Sequence, residues 1–159
     1  MDSPVGPLML AGCDQALRLV NFPKGSQARK PHISWREDKS RFSTEIAELD
    51  AYFKGDLQEF TMPIILEGSP FQTSVWAALR TVEYGALASY GEIAKKLGKP
   101  GAARAVGGAN NANPVPIIVP CHRIIGANKS LTGFGGGIKT KKYLLDHEAR
   151  YAHFEDRLL

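Results

Sequence analysis

The sequence is poor in cysteine and contains no long apolar run. Only two cysteines, Cys13 and Cys121, occur among its 159 residues. No CxxC pair or clustered Cys/His spacing indicates a structural zinc, and no motif indicates a cofactor. No run approaches the roughly 20 residues of a membrane span, and the first residues lack a basic, apolar leader. We therefore expect a reduced, cytoplasmic, globular protein without membrane, metal or cofactor.

Charge is distributed unevenly along the chain. The formal net charge of the whole chain is only +4 at pH 7. Between Arg80 and Lys142, however, there are ten Lys or Arg residues and two acids, whereas the rest of the chain has ten basic and fourteen acidic residues. A basic half of this kind favours a polyanionic partner. An ordinary solvated surface explains the same counts equally well at this point.

The first part of the chain, residues 1–66, is predicted to be a small α/β domain. Apolar and polar residues alternate over residues 5–22 on either side of a turn at 12–15, which predicts a β-hairpin. Another short strand is expected near Ile33–Trp35, within an irregular stretch. Apolar residues then recur at helical spacing up to Gly55, which predicts a helix over the sheet.

The second part, residues 67–159, is predicted to be mainly helical. Ser69-Pro70 is a typical helix start. The segment Ser89–Glu92 has the pattern of a capping box, and Pro100 is expected to begin the next helix. Two short helices joined by a Gly-containing turn form a helix-turn-helix. A final helix is predicted over residues 138–149.

The second helix of this pair consists of small residues around one long cation, Arg104. Small residues such as Ala103 let a backbone approach another surface closely. Lys95 and Lys96 add positive charge on the preceding helix, and Tyr90 lies in its first turn. These features favour DNA binding, with two ordinary packed helices and a solvated arginine as the alternative.

The apolar run Val115–Val119 leads through Pro120 to Cys121, His122 and Arg123. A neighbouring imidazolium or guanidinium lowers a thiol pKa from about 8.5, and the thiolate is the reactive form. Adjacent side chains on an extended strand point to opposite faces, so Cys121 and His122 cooperate only if the chain turns. Pro120 favours such a turn. A buried cysteine beside a surface histidine is the alternative.

A glycine-rich loop over residues 131–137 follows a predicted hairpin turn at 126–129. It lacks the spacing of a phosphate-binding motif. Phe134, with Gly135 and Gly136, is better suited to form a wall around a flat ligand. A mobile glycine loop is the alternative.

The charges of the final predicted helix are opposite to those that the helix dipole favours. Lys139, Lys141 and Lys142 lie near its positive end, and Asp146 and Glu148 near its negative end. We therefore expect other partners for these groups. Phosphates suit the lysines, and an imidazolium suits one of the acids.

Together these motifs resemble those of the O6-alkylguanine-DNA alkyltransferases, the methylated-DNA–protein-cysteine methyltransferase family. The resemblance covers about residues 2–148 and is carried by five segments: Ser89–Gly91, Ala102–Gly107, Asn113-Pro114, Pro120–Arg123 and Leu144–Glu148. It implies a ribonuclease H-like domain followed by a winged-helix-like domain. It also implies a monomer that acts on double-stranded DNA bearing O6-alkylguanine.

The resemblance implies an irreversible, single-turnover reaction in which Cys121 accepts the alkyl group from a flipped-out nucleotide. In this scheme His122 is the base, acting through a water, and Glu148 orients His122. Asn113 braces the turn beside the site.

The resemblance also assigns DNA-contacting residues. Tyr90 helps to rotate the nucleotide, and Arg104 fills the gap left in the duplex. The helix that carries Ala103 and Arg104 approaches the minor groove. Arg123, Lys95 and Lys96 are further expected DNA contacts.

The substrate-pocket residues depart from the family pattern. Phe134, Gly135 and Gly136 are the expected pocket residues, but many relatives have a tyrosine in place of Phe134 and some a serine in place of Gly135. Loss of a hydroxyl is expected to change substrate range or rate. Cys13 lacks companions for the zinc site of some relatives, so no metal is expected.

Three other functions remain open from the residues. A lesion-binding protein on the same fold would lack the nucleophile. A cysteine hydrolase would use Cys121, His122 and Glu148 for acyl transfer and would turn over repeatedly. A transcription factor with an incidental cysteine would bind a DNA sequence without any lesion.

Overall fold

Two short sheets and five α-helices make up the described part of the chain in this computed structural model. It describes residues 1–131 and 134–158, with residues 153–158 described by their backbone alone. In chain order the elements are β1 (Met9–Gly12), β2 (Leu17–Asn21), α1 (Ser43–Lys54), α2 (Pro70–Leu79), β3 (Ala88–Ser89), α3 (Tyr90–Lys96), α4 (Ala103–Asn111), a 3-10 turn (Cys121–Arg123), β4 (Ile124–Ile125) and α5 (Ile138–Leu158). None of the described helices is both long and apolar enough to cross a membrane.

Strands β1 and β2 form the predicted antiparallel hairpin. The extended segment around Ile64 runs parallel to β2 and exchanges backbone hydrogen bonds with Leu17. The prediction of a strand near Ile33–Trp35 is wrong. That stretch is a turn in which the Trp35 amide donates to the carbonyl of His32. Ile33 is 97% exposed, so no sheet edge or apolar surface holds the segment extended.

Helix α1 is the predicted helix that connects the hairpin to the rest of the protein. It ends at Gly55, whose φ of 84° is the left-handed conformation that glycine adopts readily. Leu49, Tyr52 and Phe53 are buried on one face. Because Tyr52 lies 5.1 Å, centroid to centroid, from the ring of His147 in α5, α1 packs directly against the final helix.

Helix α2 begins as its sequence predicts. The Ser69 hydroxyl accepts from the Gln72 amide, the Gln72 side chain accepts from the Ser69 amide, and Pro70 occupies the first turn. Trp76 donates its indole N–H to the carbonyl of Ala109 in α4 at 2.8 Å. This bond ties α2 to the helix pair that follows. The domain boundary between residues 66 and 67 stays a prediction.

Helices α3 and α4 form the predicted helix-turn-helix. Ser89 caps α3 by accepting from the Glu92 amide, and α3 gives way to a turn at Gly98, with φ of 71°. The prediction that α4 begins at Pro100 is wrong by three residues. The chain turns first, with the Ala102 amide donating to the Lys99 carbonyl, and α4 starts at Ala103.

The chain after the 3-10 turn differs from the predicted hairpin. Strand β4 pairs in parallel with β3, and the turn at residues 126–130 is closed by the Gly126 amide on the Ser130 carbonyl. No partner strand for a hairpin follows among residues 126–131 and 134–137.

Helix α5 extends to Leu158, well beyond the predicted end at residue 149. Asp146 and Glu148 therefore lie in its middle turns, and the prediction that they face the negative end of a helix dipole is wrong. Asp146 instead pairs with Lys142 one turn earlier, at 2.6 Å.

Candidate active site

Cys121 and His122 lie on a turn that directs both side chains into the protein. The 3-10 turn follows Pro120, whose carbonyl accepts from the Arg123 amide at 3.0 Å. Cys121 is 2% exposed and His122 is fully buried. The predicted turn at Pro120 is confirmed, because an extended chain would send these neighbours to opposite faces.

Two asparagines hold the loop that carries Cys121. Asn113 donates its side-chain N–H to the Val119 carbonyl at 2.9 Å and accepts from the Val115 amide at 3.0 Å. Asn110 donates to the carbonyl of Cys121 at 3.3 Å. Asn113 thus bonds to two points of this loop, and its bracing role stays a prediction from the family resemblance. The Cys121 loop is therefore held by polar contacts from α4 and the residues just after it.

The Glu148 carboxylate is the hub of the site. Its Oε1 accepts from His122 Nε2 at 2.6 Å, from the Tyr52 hydroxyl at 2.9 Å and from Arg123 Nη2 at 3.0 Å. Its Oε2 accepts from Arg123 Nε at 2.8 Å and from the Gly85 amide at 3.3 Å. Five donors from three separate segments therefore meet on one carboxylate.

The protonation states of this cluster follow from its burial and charges. Burial opposes ionisation of Glu148, but the charge of Arg123 and the hydrogen bonds that His122 and Arg123 donate outweigh it and hold the Glu148 pKa well below its usual range. For His122, burial is the largest effect and lowers the pKa, despite the opposing pull of Glu148. Because Arg123 already balances Glu148, we assign a neutral imidazole to His122.

The hydrogen bond to Glu148 fixes which nitrogen of His122 carries the proton. An ionised carboxylate can only accept, so the proton is on Nε2. Nδ1 has no hydrogen-bond partner among the residues that the structure describes. Its lone pair is therefore available to accept a proton, which is what a base acting through a bridging water requires.

Burial favours the neutral thiol form of Cys121, contrary to the prediction of a thiolate stabilised by a neighbouring cation. Burial raises the pKa of Cys121 to about 11, although the Asn113 side chain and the charge of Lys141 act in the opposite direction. The prediction fails because His122 is neutral and Arg123 is bound to Glu148. Neither His122 nor Arg123 therefore supplies a free positive charge to a Cys121 thiolate.

Lys141 is also placed differently from its prediction as a phosphate contact. It is fully buried on the inner face of α5, and its Nζ donates to the carbonyl of Ile124 at 2.5 Å. Nζ also lies 5.9 Å from the centroid of the Tyr90 ring. Burial lowers the pKa of Lys141 to about 8, and this position excludes contact with DNA phosphates.

Arg123 was expected at the DNA, and this prediction is wrong. The side chain is buried, with two bonds to Glu148 and a third from Nη1 to the carbonyl of Val82 at 2.6 Å. Its guanidinium carbon lies 5.6 Å from the centroid of the Tyr84 ring. The positive charge of Arg123 therefore balances the negative charge of the Glu148 carboxylate.

A pocket beside Cys121 is lined by the predicted residues Phe134, Gly135 and Gly136. Phe134 is buried and tilts against Phe22, with ring centroids 5.6 Å apart. A Cβ atom on Gly136 would lie 2.4 Å from the Phe22 ring, so glycine is required for this close approach. Residues 132 and 133 of the predicted loop lie outside the described residues.

The N-terminal half supplies part of this pocket, which the sequence did not indicate. Phe22 and Gln27 line it, and the Gln27 amide donates to the carbonyl of Gly135 at 3.1 Å. Asn21 holds this segment by donating to the Gln27 carbonyl at 2.8 Å. Alternation in the sequence predicted the hairpin but carried no signal for the loop that crosses to the pocket.

The residues expected at the DNA lie mostly on the outer face of α3 and α4. Arg104, Lys95 and Lys96 are exposed, while Ala103 and Tyr90 are half-buried. Lys96 also contacts the hydroxyl of Thr81. The helix pair therefore presents cations and small residues to the outside, with the buried Cys121 behind it.

Metal-binding groups are not brought together in the described part of the chain. No group of three His, Cys, Asp or Glu residues there could hold an ion. Cys13 is a half-buried free thiol that lies 3.8 Å from the carbonyl of Ala16.

Comparison with known proteins gives the family. The model described as "6-O-methylguanine DNA methyltransferase, DNA binding domain" matches residues 70–150, and that of the "ribonuclease-like domain" of the same enzymes matches residues 1–66. A methylated-DNA–protein-cysteine methyltransferase of Methanosarcina acetivorans is 49% identical over 147 residues, which is 92% of this chain and 94% of that protein. One from Mycobacterium tuberculosis is 51% identical over 149 residues, 93% of this chain and 89% of that protein.

A solved structure agrees with these matches. The crystal structure of Mycobacterium tuberculosis OGT in complex with DNA superimposes with a TM-score of 0.89 at 48% identity, covering 95% of this chain and 91% of that chain. The predicted fold class, a ribonuclease-like α/β domain followed by a helical domain, is confirmed. Fold and site thus define a transferase that uses a cysteine nucleophile. The chain belongs to the methylated-DNA–protein-cysteine methyltransferase family.

The two thiols are expected to differ sharply in reactivity toward a small reagent. Backbone hydrogen bonds at Gln15 and Ala16 lower the pKa of Cys13, whereas burial raises that of Cys121 to about 11. A rise of two pKa units leaves about a hundredfold less thiolate near neutral pH. Iodoacetamide should therefore modify Cys13 first, as measured by peptide mass spectrometry.

The pH dependence of labelling supplies the control. In Cys13→Ala, labelling of Cys121 should keep rising with pH up to about 11. Fast labelling of Cys121 with a plateau below pH 8 would contradict the neutral resting thiol.

Proposed function

We propose that this chain repairs DNA directly, by moving the alkyl group from O6 of guanine in double-stranded DNA onto its own Cys121. Membership of the family supports direct repair by alkyl transfer. The observation that carries the proposal is the buried Cys121 thiol next to a neutral His122 that is fixed by Glu148. A nucleophile and a base, with the base oriented by a third group, is the arrangement that nucleophilic catalysis requires.

In the proposed reaction the Cys121 proton moves through a water to Nδ1 of His122. The imidazolium that forms is stabilised by Glu148, which already accepts from Nε2. The sulfur then forms a bond to the alkyl carbon as the bond from that carbon to O6 breaks. The electron pair of the broken bond stays on the guanine, which takes up the proton as the His122 imidazolium releases its own and returns to the neutral form. Each protein molecule reacts once, since the thioether product has no easy hydrolytic exit.

DNA is proposed to approach along the outer face of α3 and α4. A buried thiol does not reach a base that is stacked in a duplex, so the nucleotide must be flipped. Tyr90 is proposed to assist its rotation, and Arg104 to enter the gap. Small residues such as Ala103 permit close approach of α4 to the minor groove, while Lys95 and Lys96 meet phosphates.

The flipped base is proposed to lie in the pocket formed by Phe134, Gly135 and Gly136. Phe134 supplies an aromatic face without a hydroxyl, so its proposed contribution to base binding is stacking. Asn113 is proposed to keep the Cys121 loop in place during the reaction. A monomer in the cytoplasm stays a prediction.

Stoichiometric self-alkylation is the first test of this function. Incubation with a duplex that contains O6-methylguanine should add one methyl group to Cys121 and repair one lesion per protein molecule. Cys121→Ser should abolish transfer, because a hydroxyl supplies almost no alkoxide near neutral pH. Intact-protein and peptide mass spectrometry measure both results.

Three outcomes would instead favour other functions. Repeated turnover on acyl substrates would indicate a cysteine hydrolase. Lesion binding without any mass increase would indicate a binding protein. Methylation of Cys13 in place of Cys121 would contradict the proposed nucleophile.

The role of Arg104 is tested by comparing two substrates. Flipping a base out of the stack costs a few kcal/mol, and a free base avoids this cost. Arg104→Ala should therefore slow repair of the duplex about tenfold or more while leaving reaction with free O6-benzylguanine nearly unchanged. Single-turnover rates with the two substrates measure this ratio.

Lys95→Ala is the matched control for loss of charge. It should weaken binding to all duplexes and reduce the slope of log affinity against log salt by about one. If Arg104→Ala slows both substrates equally, Arg104 supports the fold or the site, and the intercalation proposal fails.

A further inference from the structure

We propose that Tyr52 of helix α1 is a positioning residue for the alkyl transfer, because its hydroxyl fixes the Glu148 carboxylate that orients His122. This inference rests on the proposed function and adds a residue from the N-terminal half to the active site. Tyr52 does not touch the thiol, so its effect is transmitted through Glu148 and His122.

The Tyr52 hydroxyl contacts the same Glu148 oxygen that holds the His122 ring. It donates to Oε1 of Glu148 at 2.9 Å, and the same oxygen accepts from His122 Nε2 at 2.6 Å. Arg123 and Gly85 account for the remaining donors on this carboxylate. Among the described residues, Tyr52 is therefore the one through which the N-terminal half contacts the Glu148–His122 pair.

The main chain of Tyr52 makes a second contact with the same turn of α5. Its carbonyl accepts from Nε2 of His147 at 2.7 Å, while its side chain reaches the next residue, Glu148. One residue of α1 thus holds two consecutive residues of α5. This two-point attachment fixes both the position of α5 and the direction of the carboxylate.

The Tyr52 ring is rigidly packed. It is fully buried and lies against Phe53, with ring centroids 5.3 Å apart, and against Phe60 at 5.5 Å. Burial and the negative charge of Glu148 raise the pKa of Tyr52 well above its usual value, so the hydroxyl remains a donor across the working pH range. A fixed, permanent donor is well suited to holding a charged acceptor in place.

The chemical consequence follows from the number of donors on Oε1. When His122 becomes an imidazolium, Glu148 must remain a carboxylate and keep accepting from Nε2. The Tyr52 hydroxyl withdraws charge from Oε1 and so disfavours transfer of the proton to Glu148. Without this hydroxyl the carboxylate has more rotational freedom, and His122 spends less time in the productive orientation.

The test compares two variants that each lose one phenolic hydroxyl. Tyr52→Phe removes the bond to Glu148, whereas Tyr143→Phe removes a hydroxyl from a ring that stacks on His147, with centroids 6.1 Å apart. Free O6-benzylguanine is the substrate, so that DNA binding does not enter the rate. Tyr52→Phe should react about tenfold more slowly, and the lower limb of its pH–rate profile should move to higher pH. Tyr143→Phe should match the parent protein in rate and profile.

A double-mutant cycle separates positioning from a general loss of stability. If Tyr52 acts through Glu148, Tyr52→Phe combined with Glu148→Gln should react no more slowly than Glu148→Gln alone. Multiplicative losses in rate would overturn the inference, as would an unchanged rate and profile in Tyr52→Phe. The comparison within the Glu148→Gln background decides the question even if Tyr52→Phe lowers stability.

The parent protein distinguishes failure of this inference from failure of the proposed function. If O6-benzylguanine leaves Cys121 of the parent unmodified, the proposed function fails, and the inference fails with it. If the parent is modified and Tyr52→Phe is modified equally fast at every pH, only the role of Tyr52 is rejected.

Discussion

The buried ion pair between Glu148 and Arg123 is the interaction on which the rest of the site depends. A carboxylate enclosed in a protein interior is costly unless it is paired and its oxygens are hydrogen-bonded. Here Arg123 supplies the charge, and Tyr52, Gly85 and His122 supply further donors. Satisfying this one carboxylate brings α1, the segment before β3, the 3-10 turn and α5 together.

This pairing also sets the chemistry of the nucleophile. Because the charge of Arg123 is directed to Glu148, it does not ionise the neighbouring thiol, and burial keeps Cys121 protonated. Reactivity then depends on a base that accepts the proton when a substrate arrives. A buried thiol of this kind is protected from adventitious electrophiles.

Local signals in the sequence predicted the features that depend on neighbouring residues. Periodicity and capping located the hairpin, α1 and the start of α2, and Pro120 located the turn that carries Cys121 and His122. Features that depend on distant partners were missed. Lys141 and Arg123 look like any surface cations in the sequence, because only the packing of α5 and the 3-10 turn buries them. Tyr52 looked like an ordinary apolar helix position, since its partner Glu148 lies 96 residues away.

Before reaction, the site is expected to hold Cys121 as a neutral thiol and His122 as a neutral imidazole. Nitrogen NMR of the His122 ring in the unreacted protein near neutral pH tests this expectation most directly. We expect one protonated nitrogen, Nε2, and an unprotonated Nδ1, with the Cys121 carbon shifts of a thiol. A ring protonated on both nitrogens beside a Cys121 thiolate would contradict it.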